Sequence, residues 1–243
     1  SSINQVKIQN VGRTGHSMDL GFLPSADELW PRKNDYEGEI PRLELSPVWS
    51  ILNPKEEDGL KNQLDRMVQK LGSNYPSGVS VDETHGPVYI DERAVLEPGI
   101  HIIGPTYIGP EAIIRHGAYV RSYSWICFQA VVGHSSEIKH SILLPKAKAP
   151  HFNYVGDSVI GTEANLGAGV KLSNLRNDGG EVHTRYSNRR IPTGLRKFGA
   201  LIGEKCQLGC NAVLNPGVIL GTACSVFPNL TVSGIHPPNG KIR

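Results

Sequence analysis

The chain is poor in sulfur, in aromatic residues and in long apolar runs. Its 243 residues include four cysteines and two methionines, and only 7% of them are aromatic. Cysteines without the spacing of a disulfide framework are typical of a reducing compartment. No stretch has the roughly eighteen apolar residues of a membrane span or the apolar core of a signal peptide. We therefore expect a cytoplasmic protein.

A strong charge of one sign is also missing. Lysine and arginine total 25 against 23 aspartate and glutamate, and 39% of the residues are hydrophobic. This balance gives no electrostatic reason to expect a nucleic-acid or membrane partner for the whole chain. The length suits one large domain or two small ones. The chain begins at Ser1 rather than at a methionine, so we expect either a trimmed chain or a part of a longer one.

What the sequence does contain is a repeat of six residues. An aliphatic side chain recurs at Ile90, Leu96, Ile102, Ile108, Ile114, Val120, Ile126, Val132, Ile138 and Leu144. The spacing returns at Tyr154, Ile160, Leu166 and Leu172, and again at Ile202, Leu208, Leu214, Leu220, Val226 and Val232. A short strand and a turn every six residues would close one triangular coil in three repeats, with these side chains inside.

The repeat predicts an all-β fold, a parallel β-helix over residues 86–243. It resembles the hexapeptide pattern of proteins that form left-handed parallel β-helices, and this resemblance implies the hand. Neighbouring coils of such a fold lie about 4.8 Å apart, so residues eighteen positions apart become neighbours across a parallel ladder.

Residues 1–85 lack the repeat and predict a loop-rich capping segment with one α-helix near residues 54–72. Asn53 followed by Pro54 is typical of a helix N-terminus. We expect the apolar face of this helix to cover the open end of the coil stack, which would otherwise expose unpaired strand edges.

Two cations occupy equivalent positions in the repeat. Arg121 and Lys139 lie eighteen residues apart, and like charges placed one strand spacing apart destabilise a sheet unless an anion lies between them. A phosphate group is the natural candidate. The alternative is a solvated edge on which Glu137 neutralises Lys139.

The repeat is interrupted between Leu144 and Tyr154, where ten residues stand in place of six. His151 lies in this interval, and a bulged corner there would turn side chains away from the packed wall. An imidazole titrates near neutrality, which suits proton transfer. His151 is therefore the candidate catalytic residue.

The polar residues around this interval resemble the acetyltransferase domain of the bacterial bifunctional N-acetylglucosamine-1-phosphate uridyltransferase and glucosamine-1-phosphate acetyltransferase. The shared residues are E-I-K at 137–139, H-x-x-Y-x-G-D at 151–157, N-x-G-A-G at 165–169, and Asn174. The resemblance covers about residues 90–232.

The resemblance implies an acetyl-CoA-dependent N-acetyltransferase that acts on an amino-sugar phosphate or a nucleotide sugar. His151 would be the general base for the attacking amine. The implied substrate-binding residues are Arg121, Lys139, Glu137, Tyr154, Asn165 and Asn174. Ala168 and Cys210 align with positions that contact acetyl-CoA. A homotrimer with sites shared between neighbouring chains is also implied.

The chain departs from that family in three places. An insertion at about residues 176–199 contains several basic residues, and we assign Arg196 and Lys197 to cofactor binding. The insertion is either a lid that clamps the phosphates of coenzyme A or of a nucleotide, or a solvated excursion at a trimer edge. Cys210 stands where the family has a serine, and a thiol forms weaker hydrogen bonds than a hydroxyl. The substrate or the acyl donor is therefore open to differ from that of the family. Residues 1–85 hold no Gly-rich phosphate loop, so we expect no nucleotidyl transfer by this chain alone.

Two other functions remain open. The chain is alternatively a non-catalytic β-helix that trimerises or regulates a protein related to sugar-nucleotide pyrophosphorylases. A zinc enzyme such as a β-helical carbonic anhydrase is the third possibility, because His116 and His134 also lie eighteen residues apart. No third ligand is found at a matching position, so we expect no metal.

Overall fold

Three parallel sheets of eight strands form the body of the protein. The computed structural model describes residues 21–69 and 75–243. The chain visits the three sheets in turn and completes about nine coils.

Sheet A contains Val79–Asp82 (β1), Ile100–Ile103 (β4), Tyr119–Val120 (β7), Glu137–Lys139 (β10), Tyr154–Gly156 (β13), Lys171–Leu172 (β16), Val213–Leu214 (β21) and Thr231–Val232 (β24). Sheet B contains Val88–Ile90 (β2), Thr106–Ile108 (β5), Ser124–Ile126 (β8), Ser141–Leu143 (β11), Val159–Ile160 (β14), Ala200–Ile202 (β19), Val218–Leu220 (β22) and Ile235–His236 (β25). Sheet C contains Val95–Leu96 (β3), Ile113–Ile114 (β6), Val131–His134 (β9), Lys148–His151 (β12), Asn165–Leu166 (β15), Gln207–Leu208 (β20), Ser225–Val226 (β23) and Lys241–Ile242 (β26).

The interior between the sheets is filled by the repeated aliphatic side chains. Ile102, Ile108 and Ile114, one from each sheet, are completely buried in a single apolar cluster. Each such side chain contributes about 1.5–3 kcal/mol of hydrophobic stabilisation. The predicted all-β parallel β-helix is confirmed, and the small helix content is consistent with the left-handed form.

The predicted interruption of the repeat is wrong. Leu143, Ala149 and Val155 face the interior at an even spacing of six, whereas Leu144 packs outside and Tyr154 is half-buried. The register moves because Leu143 pairs with Ile126, one residue short of the usual eighteen.

The missing residue is lost at the corner between sheets A and B. His140 turns this corner with a φ of 44°, and Asp157 turns the equivalent corner of the next coil with a φ of 46°. Two consecutive coils are thereby shortened at one edge of the prism. His151 ends β12 in register with His134, so it lies at an ordinary corner and not in a bulge.

The described part of the amino-terminal segment contains two short α-helices and a 3-10 helix. They span Ala26–Leu29 (α1), Val48–Leu52 (the 3-10 helix) and Leu60–Val68 (α2). The helix predicted near residues 54–72 is present as α2, but it begins at Leu60 and not at Pro54. Asn53 ends the 3-10 helix, and its side chain accepts a hydrogen bond from the N–H of Lys55. An Asn side chain bonded two residues on forms a turn. Residues 70–72 of the predicted helix lie outside the described residues, and β1 already pairs with β4, so the β-helix begins before the predicted boundary at residue 86.

Helix α2 covers the side of the β-helix, not its end as expected. Leu60, Leu64 and Val68 are fully buried in a second apolar cluster, together with outward-facing residues of sheet B such as Trp125 and Ile142. Several strands of sheet B are buried at every position, as is usual for parallel strands covered on both faces. Among the described residues, none of the helices has the length and apolar composition needed to span a bilayer.

The basic insertion is folded onto the same face. It contains an antiparallel hairpin of His183–Tyr186 (β17) and Arg189–Pro192 (β18). Its apolar residues are buried in the second cluster, namely Val182, Ile191, Leu195 and Phe198. The arginines of the hairpin, Arg185, Arg189 and Arg190, are exposed.

Three tryptophans join the amino-terminal segment, sheet B and the insertion. The indole N–H of Trp30 donates to the carbonyl of Ile202, and that of Trp125 donates to the carbonyl of Glu39, each at 2.9 Å. Trp49 donates to the carbonyl of Thr193 in the insertion at 3.1 Å. Buried indole N–H groups need such partners, so these contacts hold three separate parts of the sequence in one arrangement.

Candidate functional site

A cavity of about 770 Å³ opens at the corner between sheets A and B. Three parts of the chain form its walls. The amino-terminal segment contributes Leu52, Asn53, Pro54, Lys55 and Lys61, and the β-helix contributes His85, Ile103, Tyr119, Arg121, Ser122, Tyr123, Lys139, His140 and Asp157. The insertion contributes Gly194, Leu195, Arg196 and Lys197.

Arg121 and Lys139 are neighbours in this cavity, as their spacing predicts. They directly follow the register pair of Val120 and Ile138. Each already has a carboxylate partner: Nη1 of Arg121 lies 2.8 Å from Oε1 of Glu137, and Nζ of Lys139 lies 3.0 Å from Oδ2 of Asp157. Glu137 therefore neutralises the arginine and not the lysine.

Asp157 is the centre of a buried polar network. Its carboxylate lies 2.8 Å from Nδ1 of His140 and 3.0 Å from Nζ of Lys139, and it accepts a hydrogen bond from the amide of Asn174. Burial opposes its ionisation, but the hydrogen bond and charge of His140, the charge of Lys139 and the Asn174 amide outweigh burial and lower the pKa of Asp157. Asp157 is thus an anion that can only accept hydrogen bonds.

Because Asp157 is ionised, it determines which ring nitrogen of His140 carries the hydrogen of their shared bond. Nδ1 of His140 must carry a hydrogen to bond the carboxylate, so Nε2 is the nitrogen that remains. Nε2 is buried and has no hydrogen-bond partner among the described residues, and His140 is 8% exposed. His140 lines the cavity, but its Nε2 is enclosed and has no hydrogen-bond partner among the described residues.

Tyr154 and Asn174 approach one another beside this network. The Tyr154 hydroxyl lies 3.5 Å from Oδ1 of Asn174, at the outer limit of a hydrogen bond. Burial, together with the negative charges of Glu137 and Asp157, raises the pKa of Tyr154. Its phenol stays protonated near neutral pH and is available as a donor.

His151 lies elsewhere, at the corner between sheets C and A. Its side chain is exposed, and its carbonyl accepts a hydrogen bond from the N–H of Gly169 at 3.0 Å. In the next coil, the carbonyl of Ala168 accepts from the N–H of Asn211 at 2.9 Å. The structure thus brings His151, Ala168 and Cys210 together on successive coils of one corner.

Within one chain, the predicted residues therefore form two groups. Sheet A separates the corner of His151 from the cavity that contains Arg121, Lys139, Arg196 and Lys197. The strands of sheet A contain two to four residues, and each residue extends a strand by about 3.3 Å. The two groups therefore lie at opposite ends of these strands. Asn165 belongs to neither group, because it lies on sheet C in a second cavity of about 870 Å³.

The stacked histidines are bonded to the backbone. The rings of His116 and His134 lie 5.8 Å apart and nearly parallel, and Nδ1 of each lies 2.7 Å from a carbonyl oxygen, of Pro98 and of His116 respectively. In the part of the chain that the structure describes, no group of three histidine, cysteine, aspartate or glutamate residues is arranged to hold a metal ion.

Sequence reasoning missed the pairing of His140 with Asp157. His140 directly follows Lys139, and Asp157 ends the motif H-x-x-Y-x-G-D. They are seventeen residues apart, so a strict period of eighteen does not align them. Assigning Leu143 rather than Leu144 to the interior would have revealed the contact.

Comparison with known proteins shows related sequences along most of the chain. The family model for the GMPPB C-terminal domain matches residues 102–187. The bifunctional sugar-1-phosphate nucleotidylyltransferase/acetyltransferase of Sulfurisphaera tokodaii is 37% identical over 201 residues, which are 82% of this chain and 47% of that protein. The chain thus spans about half the length of this relative.

A second relative is matched over most of its own length. The uncharacterized acetyltransferase YaiX of Escherichia coli K12 is 35% identical over 173 residues, which are 71% of this chain and 75% of YaiX. Among solved structures, the polysialic-acid-specific acetyltransferase NeuO matches with a TM-score of 0.47 and 15% identity, over 67% of this chain and 81% of NeuO.

Proposed function

Because the chain belongs to the hexapeptide-repeat family of acyltransferases, we propose that it transfers the acetyl group of acetyl-CoA to the amine of an amino-sugar phosphate or a nucleotide sugar. The observation that carries this proposal is the cavity in which Arg121 and Lys139 lie side by side. The name of the Sulfurisphaera tokodaii relative, which pairs sugar-1-phosphate chemistry with acetyl transfer, supports the same acceptor class.

In the proposed reaction the amine attacks the thioester carbonyl directly, without a covalent enzyme intermediate. His151 takes a proton from the amine as it attacks, and the protonated imidazole returns that proton to the departing thiolate of coenzyme A. The N–H of Ala168 has no hydrogen-bond partner among the described residues, so it is free to bind the oxyanion of the tetrahedral intermediate. Arg121 and Lys139 hold the phosphate.

We also propose that the protein is a cytoplasmic homotrimer with shared sites. His151 of one chain and Arg121 with Lys139 of a neighbouring chain would then face one substrate. The separation of these residues by sheet A within a single chain supports sharing, because proton transfer needs the base within hydrogen-bond reach of the amine.

Thiol release from acetyl-CoA in the presence of glucosamine 1-phosphate tests the proposal. We expect turnover by the wild type and a loss of about a hundredfold or more in His151→Ala. His116→Ala is the matched control, because His116 is also an exposed histidine and lies two coils away on the same corner. Turnover that survives His151→Ala would remove the base assignment but leave the acetyl transfer.

A second function is favoured by two observations. The family model that matches residues 102–187 is a carboxy-terminal domain, and both phosphate-binding cations already have carboxylate partners. The chain would then be a β-helix that trimerises or regulates a protein related to sugar-nucleotide pyrophosphorylases. Absence of turnover across a panel of amino sugars, with a trimeric mass in solution, would favour it over catalysis.

A further inference from the structure

The cavity between sheets A and B has more positive charge than its own carboxylates balance. Among the described residues that line it, six are lysine or arginine and only Asp157 is an acid. Lys61 pairs with Asp65 at 2.9 Å, and Arg121 and Lys139 pair with Glu137 and Asp157.

The other three cations in this cavity lack a carboxylate within ion-pair distance in the described part of the chain. They are Lys55, Arg196 and Lys197, and Arg196 instead donates from Nε to the carbonyl of Gly179 at 3.2 Å. Unbalanced cations that converge on one concave surface repel each other and attract a polyanion. The phosphate expected beside Arg121 and Lys139 does not account for them.

These three cations are supplied by the parts of the chain that the coil does not require. Lys55 belongs to the amino-terminal segment, and Arg196 and Lys197 belong to the insertion. The hydrogen bond from Trp49 to Thr193 and the packing of Trp49 on Phe198, with ring centres 6.2 Å apart, join these two parts. The charged walls are therefore held by buried contacts and are not loose surface loops.

The cavity is also larger and less polar than a sugar phosphate needs. Its volume of about 770 Å³ lies within the range of roughly 300–1,000 Å³ that encloses drug-sized ligands. Tyr119, Tyr123 and Ile103 form an apolar and aromatic part of the lining, which suits a planar base.

We infer that this cavity binds a nucleoside diphosphate. Lys55, Arg196 and Lys197 neutralise the diphosphate, and the base packs against the side of Tyr119 and Ile103. Nucleoside diphosphate sugars and coenzyme A both carry this chemistry. The inference that a nucleoside diphosphate binds depends only on the cavity. The further step, that this nucleotide is part of the acceptor substrate, rests on the proposed acetyl transfer. In that case the enzyme would prefer nucleotide sugars to sugar monophosphates as acceptors.

Calorimetric titration of the whole chain with uridine diphosphate, uridine monophosphate and inorganic pyrophosphate tests the inference at a fixed salt concentration. We expect the diphosphate to bind at least about tenfold more tightly than the monophosphate. Lys197→Gln should weaken its binding by about tenfold, because a charge-assisted contact is lost. Tyr119→Leu should weaken the binding of uridine diphosphate but leave the binding of pyrophosphate unchanged.

Lys241→Gln is the matched control, since Lys241 is an exposed lysine on sheet C outside the cavity. Equal affinity for the diphosphate and the monophosphate, or equal effects of Lys197→Gln and Lys241→Gln, would overturn the inference. Displacement of bound uridine diphosphate by coenzyme A would assign the site to the donor, and simultaneous binding would assign it to the acceptor.

The outcomes separate this inference from the proposed function. Turnover of glucosamine 1-phosphate without binding of uridine diphosphate would remove the nucleotide site and leave the acetyltransferase. Binding of uridine diphosphate without turnover of any amino sugar or amino-sugar nucleotide would leave the nucleotide site and remove the acetyltransferase.

Discussion

Nδ1 of His140 lies 2.8 Å from Oδ1 of Asp157, seventeen residues later in the chain. The two residues turn equivalent corners of consecutive coils, and both corners are one residue shorter than the repeat requires. The same carboxylate holds Lys139 and Asn174. One buried anion therefore connects the shortened corners to the cation that we assign to phosphate binding.

Asp157→Asn should lower the stability of the folded chain. The substitution keeps the shape of the side chain but removes the charge that holds His140 and Lys139, and Asp157 is 4% exposed. Loss of hydrogen bonds between charged groups costs about 2–3 kcal/mol, or about 5–10 °C in a thermal melt of a chain this long. Asp65→Asn is the control, because the Lys61–Asp65 pair is much more exposed than Asp157 and we expect it to contribute about 1 kcal/mol or less. Similar melting temperatures for the two variants would contradict a structural role for Asp157.

The contribution of Asp157 should depend on pH in the acid range. Its folded pKa lies below the usual carboxyl value, which is about 3.9. The stabilisation is therefore complete above that value and is lost as the pH falls through the lower folded pKa. The difference in melting temperature between wild type and Asp157→Asn should shrink as the pH falls below about 4. A difference in melting temperature that grows as the pH falls below about 4 would show that folding raises the pKa of Asp157 instead of lowering it.

Leu64→Ala should destabilise the protein because α2 packs against sheet B. Leu64 is fully buried in the second cluster, and truncation of a buried leucine costs about 2–5 kcal/mol. The melting temperature should fall by about 5–15 °C. Arg66→Ala, on the exposed side of α2, should change it by no more than a few degrees. Equal effects of the two variants would argue that α2 does not pack on the β-helix in solution.

Gly133→Ala should prevent correct stacking of two coils. A Cβ atom at Gly133 would lie 1.6 Å from the carbonyl oxygen of Pro150 in the next coil, so the backbone would have to move. Gly194→Ala is the control, since a Cβ there meets nothing within 4 Å and only its φ of 74° is unfavourable. We expect a cost of about 1 kcal/mol for the control and loss of soluble folded protein for Gly133→Ala. Normal expression and melting of Gly133→Ala would contradict the stacking of Gly133 on Pro150.

Much of the fold could be predicted because the repeat acts locally. Ile102, Ile108 and Ile114 each mark one side of a coil, and the side that a residue occupies depends only on its position in the hexad. The same logic places Arg121 beside Lys139, as observed. The strict hexad misplaced Leu144 and Tyr154. When a corner is one residue shorter, every later interior position moves by one residue, and the composition of the sequence does not show this.

The site was harder to predict because its residues come from parts of the chain with no common period. Nothing in the sequence links Lys55 or Lys61 to Arg196, and the expected cap on the end of the stack would have kept them far from the insertion. Outward-facing Trp125 and Ile142 were the available signal, since apolar residues outside the interior slots must be covered by something.

The sequence by itself determined the coil, the stacking of residues one coil apart, and the identity of the polar residues that resemble an acetyltransferase site. Only the tertiary structure decided that Asp157 ties His140 to Lys139, that sheet A separates His151 from the cavity, and that the amino-terminal segment meets the insertion on sheet B. The physical reason is that a six-residue period specifies contacts along the ladder, whereas burial of the outer face of sheet B specifies which distant segments come together.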